Sequence, residues 1–290
     1  MKGYYDIQGD GGSGILQQVL EKQSRIAESL SGVRHVVAVG SGKGGVGKST
    51  LTLQIAAALN VKGRDVAILD ADFNGPSQAR LAGVRDTVLV PGDGRVPLPR
   101  TRSGIGVFSM GSMVPEDQAV DFESVSRGES HTWRATREFS FLGDVLTSFD
   151  WGRLDLLLVD LPPGAERTLQ YAEFLGPGTS FLLVTIPSDL ARGVVARSVA
   201  ALKKTPNRIL GYVENMSGYY CADCGAVRPL FPSSQERDLG IPRLGGIPFD
   251  PELARLSDRG LSLAEAPDLP AARALGEVAG RLLEILESVR

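Results

Sequence analysis

A glycine-rich string at residues 42–50 constrains the fold of this chain more than any other feature. It contains the pattern Gly-x-x-x-x-Gly-Lys-Ser, with a β-branched run at residues 36–39 before it and a helical pattern after it. Glycines let backbone N–H groups turn inward around phosphate oxygens, and the start of a helix adds its positive dipole end. The string in this context predicts a phosphate-binding loop, or P-loop, for ATP.

The individual side chains of this loop have expected roles. Lys48 would bridge the β- and γ-phosphates, and the Ser49 hydroxyl would ligate Mg²⁺. The predicted nucleotide-binding residues of the loop are Gly42, Lys43, Gly44, Gly45, Val46, Gly47, Lys48, Ser49 and Thr50.

Two further apolar runs end in carboxylates that suit phosphate chemistry. Asp160 closes the run at residues 154–159, where an aspartate could hold Mg²⁺ through water. Two prolines follow, and then Gly164, whose backbone N–H is expected near the γ-phosphate. Asp70 and Asp72 close the run at residues 66–69, where aspartates could orient the attacking water and support the metal. As an isolated feature, Asp-x-Asp after a strand is more often a loop or a helix cap, so both interpretations stay open at this point.

Short apolar runs alternate with helix-like stretches along most of the chain. The runs are at residues 36–39, 66–69, 105–108, 154–159, 181–186, 209–213 and, more weakly, 244–247. The helix-like stretches are at residues 48–60, 168–175, 190–202 and 271–289. This alternation predicts an α/β fold with a mostly parallel sheet and helices on both faces. No linker is evident, so a single P-loop NTPase domain is expected over residues 33–290.

The segment before this domain has a different character. Residues 1–13 are polar, rich in glycine and expected to be poorly ordered. Apolar residues at helical spacing follow over residues 15–30. Residues 1–32 are therefore predicted to form an N-terminal extension that contains a helix.

Composition excludes several classes of function. The formal net charge of −3 disfavours general nucleic-acid binding, and no apolar run approaches the roughly 18 residues of a membrane span. Three glutamates in the C-terminal helical stretch, Glu277, Glu284 and Glu287, argue against an anionic lipid surface. With two cysteines there is no secreted disulfide framework, so the expected compartment is the cytoplasm.

The two cysteines form a single Cys-x-x-Cys at Cys221 and Cys224. Two thiolates fill half of a tetrahedral zinc site or half of a four-cysteine cluster site. His35 and His131 have no ligand-like spacing with the pair. A twofold dimer would supply the missing two thiolates and could hold one bridging [4Fe–4S] cluster. From the residues alone, a zinc knuckle, a redox dithiol and a shared cluster all stay open.

Lys43 adds a second lysine near the start of the loop, which a plain P-loop does not need. With this lysine the sequence resembles the deviant Walker A ATPases, whose members include MinD, ParA, the nitrogenase iron protein and the Mrp/ApbC proteins. The resemblance narrows to the Mrp/ApbC, or Nbp-type, iron–sulfur cluster carriers. The strings that carry it are at residues 41–50, 70–77, 133–134, 155–164, 213–217, 221–225 and 246–251.

This resemblance implies a face-to-face homodimer with ATP at the seam. Lys43 would reach the nucleotide of the other subunit and neutralise transition-state charge, as an arginine finger does. Asp72 would position water in switch I, and Asp160 would begin switch II. Asn215 resembles the residue that contacts adenine, with Pro248 and Asp250 near the base. The implied catalytic residues are Lys43, Lys48 and Asp72.

The implied function is an ATP-hydrolysing carrier that transfers a [4Fe–4S] cluster, held by Cys221 and Cys224 of two subunits, to client apoproteins. Zn²⁺ is the alternative metal, and no nucleic acid or membrane partner is expected. The rival hypotheses are a MinD/ParA-like positioning ATPase and a zinc-containing scaffold with weak hydrolysis. Electron donation is a further rival, but the nitrogenase iron protein uses two separated single cysteines per chain.

The chain also departs from the family pattern. Where the family continues with Thr-Gly-Asp or Thr-Ser-Asp after Gly164, this chain has Ala165-Glu166-Arg167. Ala135 stands where a glycine usually follows Trp133-Arg134. The departure after Gly164 predicts that switch II couples differently to hydrolysis, with a low ATPase rate, and the departures together indicate a divergent member of the family.

Overall fold

The computed structural model describes residues 15–85, 94–113, 131–221, 223–231 and 238–288. The expectation for residues 1–13 lies outside these ranges. The described chain contains a large sheet, a two-stranded sheet and helices on either side of the large sheet.

The large sheet has seven parallel strands in the order β10-β8-β7-β1-β6-β2-β4. These strands are β1 (Val33–Ser41), β2 (Val66–Asp70), β4 (Gly106–Phe108), β6 (Leu154–Asp160), β7 (Thr179–Thr185), β8 (Ile209–Tyr220) and β10 (Arg243–Phe249). An eighth, β9 (Val227–Arg228), pairs antiparallel with β8, and β3 (Val96–Pro97) pairs with β5 (Phe149–Asp150) in the separate sheet. Each apolar run of the sequence coincides with one parallel strand, which confirms the predicted sheet.

The helices of the described ranges fill the segments between strands. They are α1 (Ile15–Ser29), α2 (Lys48–Val61), α3 (Gln78–Leu81), α4 (His131–Ser148), α5 (Ala165–Leu175), α6 (Asp189–Leu202), α7 (Pro251–Asp258) and α8 (Pro270–Glu287). Short 3₁₀ turns lie at Met110–Ser112 and Leu263–Glu265. The sequence predicts α1, α2, α5, α6 and α8 but does not define α3, α4 or α7. Within the described residues, no helix combines the length and hydropathy needed to span a bilayer.

The two faces of the sheet bury different side chains, as alternation along a strand requires. Val37 and Val39 of β1 pack in the cluster that includes residues of α2 and α8. Ala38, between them, packs in the cluster that includes residues of α4, α5 and α6. Helices therefore cover both faces, as predicted.

The parallel arrangement brings several polar residues to one edge of the sheet. Asp70 ends β2 and is the register partner of Asp160, which ends β6. Asp160 is also the register partner of Val39 on β1, two residues before that strand ends at Ser41. The carboxyl ends of three neighbouring strands therefore meet where an open α/β sheet binds its ligand.

Helix α1 packs beside the sheet domain against α4. The Ser29 hydroxyl donates to the Leu146 carbonyl at 2.7 Å and is buried. The Lys22 amine donates to the Ser140 carbonyl at 2.7 Å and forms an ion pair with Asp144 at 3.0 Å. These contacts attach the N-terminal helix to the face that α4 covers.

Candidate functional site

The glycine-rich loop connects β1 to α2 in a conformation that depends on two of its glycines. Gly45 and Gly47 both have φ of 78°, which side-chain-bearing residues rarely adopt, and Gly47 caps α2. A Cβ atom on Gly47 would lie 2.3 Å from Asn215 Nδ2. On Gly42 it would lie 2.6 Å from Val194 Cγ1. At both positions a side chain would collide with other residues of the fold, so close packing requires glycine at each end of the loop.

Lys48 and Asp160 form an ion pair at the base of this loop. Both side chains are buried, and the Lys48 amine also lies 3.3 Å from the Ser49 hydroxyl. The Thr52 hydroxyl donates to the Lys48 carbonyl at 3.0 Å and reaches Asp160 Oδ1 at 3.4 Å. The structure thus brings together the lysine, hydroxyl and carboxylate that the sequence assigns to phosphate and Mg²⁺.

Asp70 anchors the loop that follows β2. Its Oδ2 accepts hydrogen bonds from the Ser77 and Gln78 backbone N–H groups at 3.0 Å and from the Ser109 hydroxyl at 2.8 Å. Burial, and then the nearby charge of Asp160, raise the pKa of Asp70 to about 7. Asp70 therefore holds the backbone at Ser77 and Gln78 in place, directly after the segment predicted to form switch I.

Gln78 is a residue of this site that sequence analysis misses. Its side chain is fully buried, and its amide Nε2 donates to the Ser49 carbonyl at 2.9 Å and to Asp160 Oδ2 at 2.8 Å. It belongs to α3, a helix of four residues. So short an element has no periodicity that would separate a buried glutamine from an exposed one.

Asp72 and Lys43, two of the predicted catalytic residues, are each partly exposed. Asp72 Oδ1 accepts a hydrogen bond from the Gly75 N–H at 3.3 Å, and burial raises the pKa of its carboxyl while the Lys48 charge opposes that shift. The Lys43 carbonyl accepts from the Ser41 hydroxyl at 3.0 Å. The Lys43 amine has no hydrogen-bond or ion-pair partner within the described ranges.

Switch II begins beside the same loop. The Gly164 N–H donates to the Ser41 carbonyl at 2.9 Å, so this segment contacts the end of β1. Gly164 has φ of 119° and caps α5. Its N–H, which the sequence places near the γ-phosphate, therefore has a backbone partner in this structure, and its role toward phosphate stays a prediction.

Arg167, one of the residues that departs from the family pattern, lies in a contact network between the two switches. Its guanidinium pairs with Glu138 of α4 and stacks 5.8 Å from the Phe139 ring centroid. The Tyr171 hydroxyl contacts Glu138 Oε1 at 2.8 Å and donates to the Ala71 carbonyl at 2.8 Å. Burial and the Glu138 carboxylate raise the pKa of Tyr171 well above its usual value. The network joins α5 to the backbone between Asp70 and Asp72.

The residues expected to contact adenine lie on, or directly after, the neighbouring strands β8 and β10. Asn215 Nδ2 donates to the Val46 carbonyl of the P-loop at 2.9 Å. Asn215 is the register partner of Ile247 on β10, directly before Pro248. Asp250 follows that strand and caps α7 by accepting from the Glu252 N–H at 3.0 Å.

The cysteines lie in the turn between β8 and β9. The Gly225 N–H donates to the Cys221 carbonyl at 2.9 Å, and Gly225 has φ of 66°. The Cys221 N–H donates to the Ala226 carbonyl at 3.0 Å. Both thiols are free of disulfides, with Cys224 exposed and Cys221 half-buried. The turn presents two thiols side by side.

Hydrogen bonds in this turn favour the thiolate form of Cys221. The Cys224 N–H, then its thiol and then the Asp223 N–H lower the pKa of the Cys221 thiol. An Arg228 nitrogen lies 3.8 Å from Cys224 Sγ. In the described ranges, no group of three or more His, Cys, Asp or Glu side chains is placed to hold a metal. Within these ranges one chain therefore contains two neighbouring thiols and no further side chain placed to complete a metal site with them.

Comparison with known protein families shows to which family of P-loop proteins this chain belongs. Residues 32–283 match the ParA family model, described as the NUBPL iron-transfer P-loop NTPases. The chain belongs to this family. Its membership confirms the P-loop NTPase domain predicted from residues 42–50.

Curated relatives of this family member carry names from iron–sulfur biology. The iron-sulfur cluster carrier protein of Saccharolobus solfataricus is 32% identical over 280 residues, 94% of this chain and 91% of that protein. The cytosolic Fe-S cluster assembly factor NUBP2 of Bos taurus is 36% identical, over 88% of this chain and 94% of that one. The cytosolic Fe-S cluster assembly factor CFD1 of Candida glabrata is 36% identical, over 79% and 81%.

Solved structures agree with this placement. A nucleotide-binding protein of Archaeoglobus fulgidus in complex with ADP has a TM-score of 0.68 and 32% identity, over 82% of this chain and 91% of that one. The cell-division ATPase MinD of Pyrococcus furiosus has a TM-score of 0.61 and 24% identity, over 87% and 99%. The second similarity shows the fold alone.

Proposed function

We propose that this protein is an ATP-hydrolysing iron–sulfur cluster carrier that holds a [4Fe–4S] cluster between two copies of the chain and delivers it to client apoproteins. One observation carries the proposal: a single strand, β8, contacts the P-loop through Asn215 and ends directly before Cys221. This one strand therefore connects the residue that contacts the P-loop to the thiol pair. Membership of the iron-transfer P-loop NTPases and the names of the curated relatives support it.

The nucleotide would lie along the sheet edge. The P-loop N–H groups and Lys48 bind the phosphates, while Asn215, Pro248 and Asp250 surround the base. The ion pair of Lys48 with Asp160 supports this assignment because it already holds the lysine amine beside the loop. An amine there neutralises charge on the β- and γ-phosphates.

The donors beside the loop fit Mg²⁺. The Ser49 hydroxyl and the Asp160 carboxylate are hard oxygen ligands of the kind that Mg²⁺ prefers, and both contact the Lys48 amine. Ser49 would bind the metal directly and Asp160 through water. When bound, Mg²⁺ neutralises charge on the phosphate oxygens.

Hydrolysis needs a positioned water and a further positive charge. Asp72 would orient the water that attacks the γ-phosphorus, the bond to the β–γ bridging oxygen would break, and ADP and phosphate would form. Lys43 of the second copy would stabilise the developing charge. Partial exposure of both Asp72 and Lys43 supports roles at a surface that a second copy covers.

Coupling to the cluster would run along β8. Between Asn215 and Cys221 the strand contains Met216, whose φ of 53° is unusual for a residue with a side chain. A nucleotide that repositions Asn215 would shift the strand and change how Cys221 and Cys224 hold their metal. Release to a client would be an exchange of thiolate ligands, with no change in oxidation state.

The second copy completes the cluster site. Two thiols per chain supply half of the four ligands that a [4Fe–4S] cluster takes, and twofold symmetry supplies the others. The hydrogen bonds from Cys224 lower the pKa of the Cys221 thiol, which favours binding because the thiolate is the ligand form. Four thiolates also suit Zn²⁺, so metal analysis is part of the test.

The proposed domain plan follows the same evidence. Residues 33–290 would form the ATPase domain and residues 1–32 an extension. The family match over residues 32–283 and the contacts of Lys22 and Ser29 with α4 support this division. A cytoplasmic location is proposed because NUBP2 and CFD1 are named as cytosolic factors.

The test is cluster transfer under anaerobic conditions. The chain, reconstituted with iron and sulfide, is mixed with a [4Fe–4S]-requiring apoenzyme, and the regained enzyme activity is followed with and without Mg·ATP. The proposal expects transfer that depends on Cys221 and Cys224. Equal transfer by the Cys221→Ala, Cys224→Ala double variant would refute it. Unchanged ATP binding in that variant shows that the fold is intact.

A further inference from the structure

Gln78 contacts three separate parts of the nucleotide site. Its backbone N–H donates to Asp70 Oδ2 at 3.0 Å, and its Nε2 donates to the Ser49 carbonyl at 2.9 Å and to Asp160 Oδ2 at 2.8 Å. The residue has no exposed surface. One side chain therefore joins the P-loop to the carboxylate that begins switch II, while its backbone is held by the aspartate that ends β2.

The partners of this amide fix its orientation. Both atoms facing Nε2 are acceptor oxygens, so only the NH₂ end of the glutamine can point toward them. The carbonyl oxygen Oε1 is then buried, and no partner for it exists within the described ranges. A buried polar atom without a hydrogen bond costs about 1–3 kcal/mol. A bound water or ligand that supplies a donor to Oε1 would remove this cost.

The same amide restricts the Asp160 carboxylate. Asp160 Oδ1 pairs with the Lys48 amine and lies 3.4 Å from the Thr52 hydroxyl, while Oδ2 accepts from Gln78. Because both oxygens have donors beside them, these contacts hold the carboxylate in one orientation. Groups that hold a metal-binding side chain in one orientation typically change metal affinity by about 10–100-fold when they are removed.

Given the proposed binding of Mg·ATP at this site, we infer that Gln78 is a positioning residue for the metal. Its Nε2 fixes the carboxylate of Asp160, and its Oε1 accepts a hydrogen bond from a water of the Mg²⁺ hydration shell. Mg²⁺ keeps several of its waters when it binds to proteins, and these waters are donors. The metal's water thus supplies the partner that Oε1 lacks.

Gln54 provides a matched control. It is equally buried, on α2, and its Oε1 accepts the Leu263 N–H at 2.7 Å. Its Nε2 is also buried and has no partner in the described ranges. Gln54→Met therefore removes a buried amide with one unpaired atom, as Gln78→Met does, but none of its recorded contacts involves Ser49, Asp70 or Asp160.

The experiment is a Mg²⁺ titration of the binding of a fluorescent ATP analogue to the full chain, repeated in EDTA. Gln78→Met is expected to raise the half-saturating Mg²⁺ concentration about tenfold and to change the affinity in EDTA less than about twofold. Gln54→Met should leave both values unchanged. Gln78→Asn, which keeps the amide on a shorter side chain, is the second variant in case Gln78→Met does not fold. It should show the same increase in the half-saturating Mg²⁺ concentration.

Three results would overturn the inference. The first is a half-saturating Mg²⁺ concentration equal to that of the wild type in the folded Gln78 variants. The second is an increase in this concentration in Gln54→Met as large as that in Gln78→Met. The third is a loss of affinity for the analogue in the Gln78 variants that is the same with and without Mg²⁺. Failure of the wild-type chain to bind the analogue at all would instead refute the proposed function. The two failures are therefore distinguishable in one data set.

Discussion

Lys48 and Asp160 form an ion pair in which both side chains are buried, between the first residue of α2 and the last residue of β6. Removal of one charge would leave the other buried without an opposite charge beside it, which is more costly than loss of an exposed pair. This pair therefore links the stability of the fold to the residues that bind phosphate.

Lys48→Met is expected to lower the free energy of unfolding by about 3–5 kcal/mol and to abolish nucleotide binding. The double variant with Asp160→Asn should cost less than the sum of the two single variants, because no unpaired charge remains. Urea denaturation measures these values. Arg255→Met, which removes an exposed pair with Glu252, should cost less than about 1 kcal/mol. Additive costs for Lys48 and Asp160 would contradict the interpretation.

Arg167→Ala tests the network between the switches. It removes the partner of Glu138, whose Oε1 also contacts the Tyr171 hydroxyl that holds the Ala71 carbonyl. Because Asp72 follows Ala71, kcat for ATP hydrolysis should fall about tenfold, with KM changed less than about twofold. Steady-state phosphate release measures both.

Glu173→Ala is the control for that experiment, since Glu173 is an exposed residue of the same helix, α5. It should leave kcat unchanged. Tyr171→Phe should reproduce part of the loss seen in Arg167→Ala. A wild-type kcat in Arg167→Ala would show that the network is structural only.

Mixing of two inactive variants tests whether Lys43 acts across the dimer. In a mixed dimer of Lys43→Ala and Asp72→Ala chains, one site would contain both an intact Asp72 and the intact Lys43 of the other chain. Random mixing of equal amounts should therefore recover roughly a quarter of the wild-type ATPase rate. If Lys43 acts within its own chain, both sites stay defective and the mixture is as inactive as its components.

The raised pKa of Asp70 predicts how stability changes with pH. Between about pH 4 and pH 7 the unfolded chain has released a proton that the folded chain keeps, so rising pH favours unfolding. The stability of the wild type relative to Asp70→Asn should therefore fall across this window, by up to about 1.4 kcal/mol per pH unit, and level off above pH 7. Urea denaturation in EDTA measures it. A flat or rising difference would contradict the shift.

The parts of the fold that follow from local pattern could be predicted from the sequence. Buried parallel strands are continuous apolar runs, so the sequence predicts each of the seven parallel strands. The P-loop pattern predicts that β1 precedes it and that α2 follows it. Helix α4 is not predicted because its first half is mostly polar in sequence, which obscures the helical spacing of the buried residues Leu142, Val145 and Leu146. Only the tertiary contact with α1 and the sheet makes it recognisable.

Within the site, motif residues could be named but their neighbours could not. Asp70 and Asp160 stand at strand ends and Lys48 stands at the start of α2, and at all three positions the spacing predicts a function. Gln78 and Glu138 belong to no motif, and only the folded chain brings them to Asp160 and Arg167. The sequence shows that Arg167 departs from the family pattern, but it does not predict that Arg167 pairs with Glu138 of α4.

The most direct test of the account is metal analysis combined with native mass spectrometry after anaerobic reconstitution with iron and sulfide. A cluster shared by Cys221 and Cys224 of two chains predicts a dimer with about two iron atoms per chain. The Cys221→Ala, Cys224→Ala variant should contain none. A cluster on a monomer, a cluster retained by that variant, or zinc at about one half per chain with no iron would contradict the account.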